Sequence, residues 1–249
     1  MKRMRRPALT LLLLLLAATG ACYGKTFQFS GEARAENGEV LYTEHHQVEG
    51  ECTEGQFRPL NHQVEYREPN QNDSFAEKSL GYERSPVQPE VDFNQPRFDE
   101  SLRISYPGEG MIEVDWVTPS GETQAFNVPI QGRAVVDAGF DNLVREHWSA
   151  LQQGRSVEFR FLGPTRGELY GFILEPSEHP DLEADLEVAI RPTSMILRFL
   201  VDPIQLGYND RGALTHYLGL TNIRRDSDTN YQAHIRYDIA SYPECELTP

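Results

Sequence analysis

The residues that could do chemistry in this chain are few and widely spaced. Cysteines stand at 22, 52 and 245, and histidines at 45, 46, 62, 147, 179, 216 and 234. No Cys-x-x-Cys is present, which argues against a redox or zinc site built from thiolates. His45 and His46 are neighbours on a predicted strand and point to opposite faces, so one element cannot offer both to a metal. Asp226, Asp228 and Asn230 place oxygen ligands two apart, like the start of a calcium loop. Tyr231 stands where that loop needs glycine and Tyr237 where it needs glutamate, so a hairpin rich in Asx turns is the better reading. Glu183, Asp185 and Glu187 alternate as a solvated face, with nothing to fix the separation a glycosidase pair requires. Gly-x-Ser-x-Gly, His-Glu-x-x-His, Ser-x-x-Lys and phosphate-binding glycine loops are absent from the sequence. The sequence therefore predicts no catalytic residue, no metal and no cofactor. A hydrolase acting on an envelope polymer would reveal itself by buried carboxylates or histidines gathered in a cleft.

The amino terminus carries an address. Lys2, Arg3, Arg5 and Arg6 precede an apolar run from Leu9 to Ala18 that includes six consecutive leucines, and Thr19-Gly20-Ala21 follow. That is the layout of a secretory signal peptide over residues 1–21, and the run is too short to span a bilayer. Cleavage after Ala21 or a few residues later would release a soluble protein. Cys22 after Thr-Gly-Ala also resembles a bacterial lipobox, although Thr19 stands where an apolar residue is usual. That resemblance implies lipidation of Cys22 and, with Tyr23 rather than Asp following, an outer-membrane anchor. Either route places the mature chain in the periplasm or envelope of a bacterium, and any membrane contact is through the lipid.

In that oxidising compartment Cys52 and Cys245 are expected to pair. Closing so long a loop would stabilise the fold by about 4–5 kcal/mol as an upper bound. Without residues 1–21 the chain keeps 19 basic and 38 acidic residues, a formal charge of −19. A field of that sign repels nucleic acid and bare anionic lipid. Residues 22–249 are enough for one β-rich domain with a substantial core.

The elements are mainly β. About a dozen short strands follow one another from Thr26, with turns at Glu36–Gly38, around Cys52 between Gly50 and Gly55, at Glu68–Asp73, Pro119–Glu122, Pro164–Gly167 and Tyr208–Gly212. Leu60, His62, Val64 and Tyr66 share one predicted face; Ile235, Tyr237 and Ile239 share another. Ser85–Asp99, with three prolines, reads as an extended loop with apolar anchors. Ser194–Val201 is apolar on both faces and is expected to be a covered central strand. One amphipathic helix stands out over residues 137–153: Phe140, Leu143, Val144, His147 and Leu151 fall on one face, Asp137 can cap the start and Gly154 the end. The fold class expected is an antiparallel incomplete β-barrel or sandwich crossed by that helix.

This layout over residues 26–242 resembles the periplasmic carriers and receptors of the lipoprotein-localisation class, whose fold is an incomplete β-barrel capped by helix. The resemblance implies a non-enzymatic envelope protein that binds a lipid or other apolar ligand, and it carries over no residue. Phe140, Leu143, Trp148 and Leu151 on the helix, with Phe159, Phe161 and Phe172 opposite, are the candidate lining. The alternative is a structural or assembly lipoprotein that meets an envelope protein partner through its surface. A hollow barrel favours the first; a filled one with an exposed apolar patch favours the second.

Overall fold

The computed structural model describes residues 25–198 and 202–249. The leader, Cys22 and residues 199–201 of the expected strand lie outside them. The described residues form one continuous 15-stranded sheet, in keeping with the mainly β fold of about a dozen strands expected. One arm runs β1 (Lys25–Arg34), β2 (Val40–Thr53), β3 (Gln56–Arg67), β4 (Ser74–Gly81), β5 (Glu90–Gln95), β6 (Glu100–Ser105), β7 (Met111–Val117) and β8 (Thr123–Pro129). The other begins with β9 (Ala134–Val135) and β10 (Val157–Gly163), then β11 (Glu168–Pro176), β12 (Leu186–Pro192), β13 (Ile204–Tyr208), β14 (Leu214–Arg224) and β15 (Asn230–Ser241). Each arm is a meander, and the two join where β1 pairs with β15. Pairs of these strands are antiparallel except β9 with β10, and an isolated parallel bridge joins Gln56 to Glu246.

Consecutive strands β8 and β9 therefore occupy opposite edges of the sheet. Only residues 130–133 connect them, and a fully extended link of that length spans no more than about 18 Å. The sheet must curl until its edges nearly meet. Each end of the link is tied into its own arm: Ile130 N donates to Gly110 O at 2.8 Å, and Arg160 N to Arg133 O at 2.8 Å. Gly167, in the turn after β10, lies so close to Phe126 of β8 that a Cβ there would come within 2.4 Å of the ring. Across the concave side, Arg224 of β14 grips Glu100 of β6 with two hydrogen bonds of 2.6 and 2.8 Å. Gln95 and Trp116 complete that clamp by donating to the same carboxylate at 2.9 and 2.8 Å. The result is an incomplete barrel.

The predicted helix forms as two pieces, α1 (Gly139–Glu146) and α2 (Trp148–Gln152), broken at His147. Asp137 does not cap it. Its backbone is left-handed, with φ of 43°, and its carboxylate turns inward instead. Gly154, at φ of 78°, does end the helix in the left-handed conformation. Leu143, Val144 and Leu151 are at most 1% exposed and pack with Phe159, Leu174, Val188 and Leu206 of the second arm. Asn142 Nδ2 donates to Pro86 O at 2.8 Å and Arg145 Nε to Gly212 O at 2.9 Å, fixing the helix to a loop of each arm.

Several local expectations are corrected. β5 runs through the supposed loop, because Val91 and Phe93 alternate into the core. Cys52 lies in β2 itself, the turn being only Glu54-Gly55 with both φ angles positive. Leu60 is 38% exposed, because a bulge at the Glu49–Gly50 pairing with β3 breaks the alternation before His62. The supposed central strand begins as a four-residue helix, α3 (Met195–Arg198), with Met195 and Ile196 73% and 74% exposed. An unbroken apolar run cannot distinguish a covered strand from an uncovered turn of helix.

Cys52 and Cys245 form a disulfide, with Cα atoms 5.9 Å apart and a separation of 193 positions in sequence. Backbone bonds from Glu246 to both Gly55 and Phe57 hold the tail against the β2–β3 turn. Breaking the link with Cys52→Ala should cost about 2–5 kcal/mol. Equilibrium denaturation checks this, and alkylation of the oxidised, unfolded protein should label neither cysteine.

Candidate functional site

Between the two arms the barrel is hollow, with a partly open cavity of about 430 Å³. Its wall is mostly apolar, with Val64, Leu80, Ile104, Phe140, Phe172 and Ile235 among the lining residues. Of the helix and strand residues expected to line it, Phe140, Phe161 and Phe172 do. Leu143, Trp148, Leu151 and Phe159 instead belong to the packed core behind it, where the Trp148 ring meets Tyr208 edge-on at 6.0 Å. The helix thus presents its first turn to the cavity and spends the rest of its apolar face on packing.

A polar corner interrupts this wall. On β2 the inward face carries Tyr42, Glu44, His46 and Val48 in alternation, so a carboxylate and an imidazole point where apolar residues would be expected. Across β1, Gly31 is in register with both Glu44 and Tyr237. A Cβ on Gly31 would lie 2.6 Å from the Tyr237 ring, so glycine lets that ring cross over β1. The Tyr237 hydroxyl then donates to Glu44 Oε2 at 2.9 Å. Burial, with Glu44 beside it, pushes the Tyr237 pKa far up and keeps the hydroxyl a donor.

The same oxygen lies 3.0 Å from His46 Nε2, and His46 Nδ1 lies 2.9 Å from His62 Nε2 on β3. With Glu44 ionised, His46 must donate through Nε2. In its neutral form it then accepts from His62 Nε2–H, which leaves a lone pair on His62 Nδ1. Phe29 stacks on the His46 ring at 4.3 Å and an interplanar angle of 10°. Burial, then His46, Lys78 and Arg145, push His62 well below the usual imidazole value, so it stays neutral.

Facing this relay is an ion pair. Lys78 Nζ donates to both oxygens of Asp137 at 3.0 Å, and Asn222 Nδ2 donates to Oδ2 at 3.1 Å. The Lys78 and Asp137 side chains are 5% and 11% exposed, so Asp137 ties β4 to β14 across the interior. Behind it Asp141 pairs with Arg145 at 2.8 Å, and burial outweighs that cation in raising the Asp141 pKa.

The other sequence candidates play local parts. Asp226 Oδ1 accepts from the backbone of Asp228 and Thr229 at 3.0 and 2.8 Å, the Asx turn expected of that hairpin. Glu187 and Asp185 accept backbone N–H groups of His179 and Asp210. His147 meets Arg133 at the break between the helices. Among the described residues no group of three or more His, Cys, Asp or Glu is arranged to hold a metal. Sequence reasoning overlooked Glu44, His46 and Asp137 as cavity residues. The available signal was Glu44 and His46 sharing the face of Tyr42 and Val48.

Fold and site together define an incomplete β-barrel with an apolar chamber and a buried polar corner. No protein-family model matches the chain, and no curated protein matches it. Among solved structures it is similar to a domain described as belonging to an outer membrane lipoprotein-sorting protein of Vibrio parahaemolyticus. The identity is 10% and the TM-score 0.27, over 88% of this chain and 84% of that one.

Two outcomes test the corner. Lys78→Met strands the Asp137 carboxylate and should cost about 3–5 kcal/mol, whereas adding Asp137→Asn should restore most of it, since Asn tolerates positive φ. Urea unfolding of both variants measures this; equal losses would show that the pair's charge is not what matters. Protonation supplies the second. The unfolded chain takes up a proton near pH 6.5 that folded His62 refuses. Its contribution is complete above that value and is lost as pH falls below it. Unfolding free energy should fall between about pH 7 and pH 5, with a shallower slope in His62→Gln.

Proposed function

We propose that this protein is a non-enzymatic carrier or receptor of the bacterial cell envelope that shelters the apolar part of a lipid-like ligand in its cavity. The hollow chamber of about 430 Å³ carries this reading, being of the size and mixed lining common to ligand pockets. A packed barrel would have had no such space, since interiors close to crystal density leave few voids larger than a water. The export leader expected over residues 1–21 supports an envelope location, and lipidation at Cys22 would tether the carrier to the membrane.

A second reading has one observation in its favour. Glu44, His46 and His62 form a buried carboxylate–imidazole chain in a cleft, the mark expected of a hydrolase. No described serine, threonine or cysteine hydrogen-bonds His46 or His62, so such an enzyme would have to activate water through His62.

Native mass spectrometry of the protein purified from its own envelope decides between them. The carrier reading expects an intact amphiphile released only on denaturation. Ala138→Phe, which thrusts a ring into the chamber from the start of α1, should reduce its occupancy about tenfold with little change in melting temperature. Protein isolated empty and unable to take up any amphiphile would sink the carrier reading. Cleavage of an added acyl ester that ends in His62→Gln would establish the hydrolase.

A further inference from the structure

Glu44 differs from every other buried acid on the cavity wall. Asp137 is matched by Lys78 and Asp141 by Arg145. Glu44, its side chain 7% exposed, meets only Tyr237 and His46, and no lysine or arginine among the described residues lies within ion-pair distance. Both contacts fall on Oε2; no described residue hydrogen-bonds Oε1. A carboxylate buried to this extent in an apolar wall favours a group of opposite charge at its open oxygen, and His46 reaches only Oε2. Lys78 is already committed, donating to both oxygens of Asp137 and lying 4.8 Å from the centre of the Phe93 ring. His62 offers no positive charge either: burial keeps it neutral, and the relay leaves its Nδ1 as a further acceptor. With His46 turned to Oε2 and Lys78 to Asp137, the position left open in the corner is Glu44 Oε1, an acceptor with no lysine or arginine beside it.

Resting on the carrier reading, we infer that the cavity selects amphiphiles whose polar end is a protonated amine, received by Glu44 Oε1 while the alkyl body lies against the apolar wall. An ammonium supplies both the missing charge and the missing donors. A carboxylate or phosphate at the same place would face Glu44 with like charge and nothing to donate.

The test compares dodecylamine, dodecanol and dodecanoate, below their micelle concentrations, by isothermal titration into the mature protein at neutral pH. The amine should bind about tenfold or more tighter than the alcohol, and dodecanoate weakest. In Glu44→Gln the amine should lose its advantage and fall to the level of the alcohol. Equal affinities, preference for the carboxylate, or an amine preference that survives in Glu44→Gln would each overturn the inference while leaving the carrier reading standing. Failure of all three to bind would overturn that reading and the inference with it. The three-ligand comparison on the unaltered protein decides even if the variant does not fold.

Discussion

Four residues between β8 and β9 join the two outermost strands of a 15-stranded sheet. A sheet of that width, left flat, would separate those edges by several times the reach of the link, given strands about 4.8 Å apart. Curling is therefore a covalent requirement, and the right-handed twist of β-structure supplies the means. Once the edges approach, the inward faces of the two meanders confront each other, and Ile104, Ile112 and Val114 share one apolar cluster with Ile223, Ala233 and Ile235. The helix after β9 is delivered to the concave side by the same closure. Its apolar face has no other surface to meet.

Closure by a short link does not by itself leave a hollow. The chamber persists because polar bridges hold the arms at fixed distances: Lys78 to Asp137 to Asn222 on one side, Glu100 to Arg224 on another. The Lys78–Asp137 and Glu100–Arg224 pairs are largely buried, and neither bridge can shorten without losing hydrogen bonds. Apolar residues in those positions would pull the walls together under the hydrophobic effect. The polar interior is consequently part of the architecture as well as of any ligand chemistry.

This division explains what could be read from residues alone. Alternation such as Ile235, Tyr237, Ile239 reports which face is covered, and the heptad-like spacing of Phe140, Leu143, Val144 and Leu151 reports a helix; both are local signals. The Cys52–Cys245 link followed from composition and compartment. Glu44 was illegible because the residues that make its burial tolerable lie elsewhere: Tyr237 is 193 positions away, and Gly31 matters only for the space it leaves. Asp137 looked like a helix cap because aspartate before an apolar periodic run usually is one; Lys78, 59 positions earlier, claims its carboxylate instead. The lining of the cavity was half legible for the same reason. A helical face shows which residues are covered, and the depth of the neighbouring arm decides whether they are covered by protein or by the chamber.

The seam between β1 and β15 also sets an order of assembly. Phe29 pairs with Ile239, so the first strand waits for the last. A chain that emerges amino end first can form its β1–β8 meander locally, but it must carry β1 as an open edge until some two hundred further residues have followed. Contacts of such separation are slow to form, and an unpaired edge bearing Phe27 and Phe29 is a template for other chains in the meantime. The fold is thus most vulnerable late in the emergence of the chain, when nearly all of it exists and the strand that completes it has not arrived.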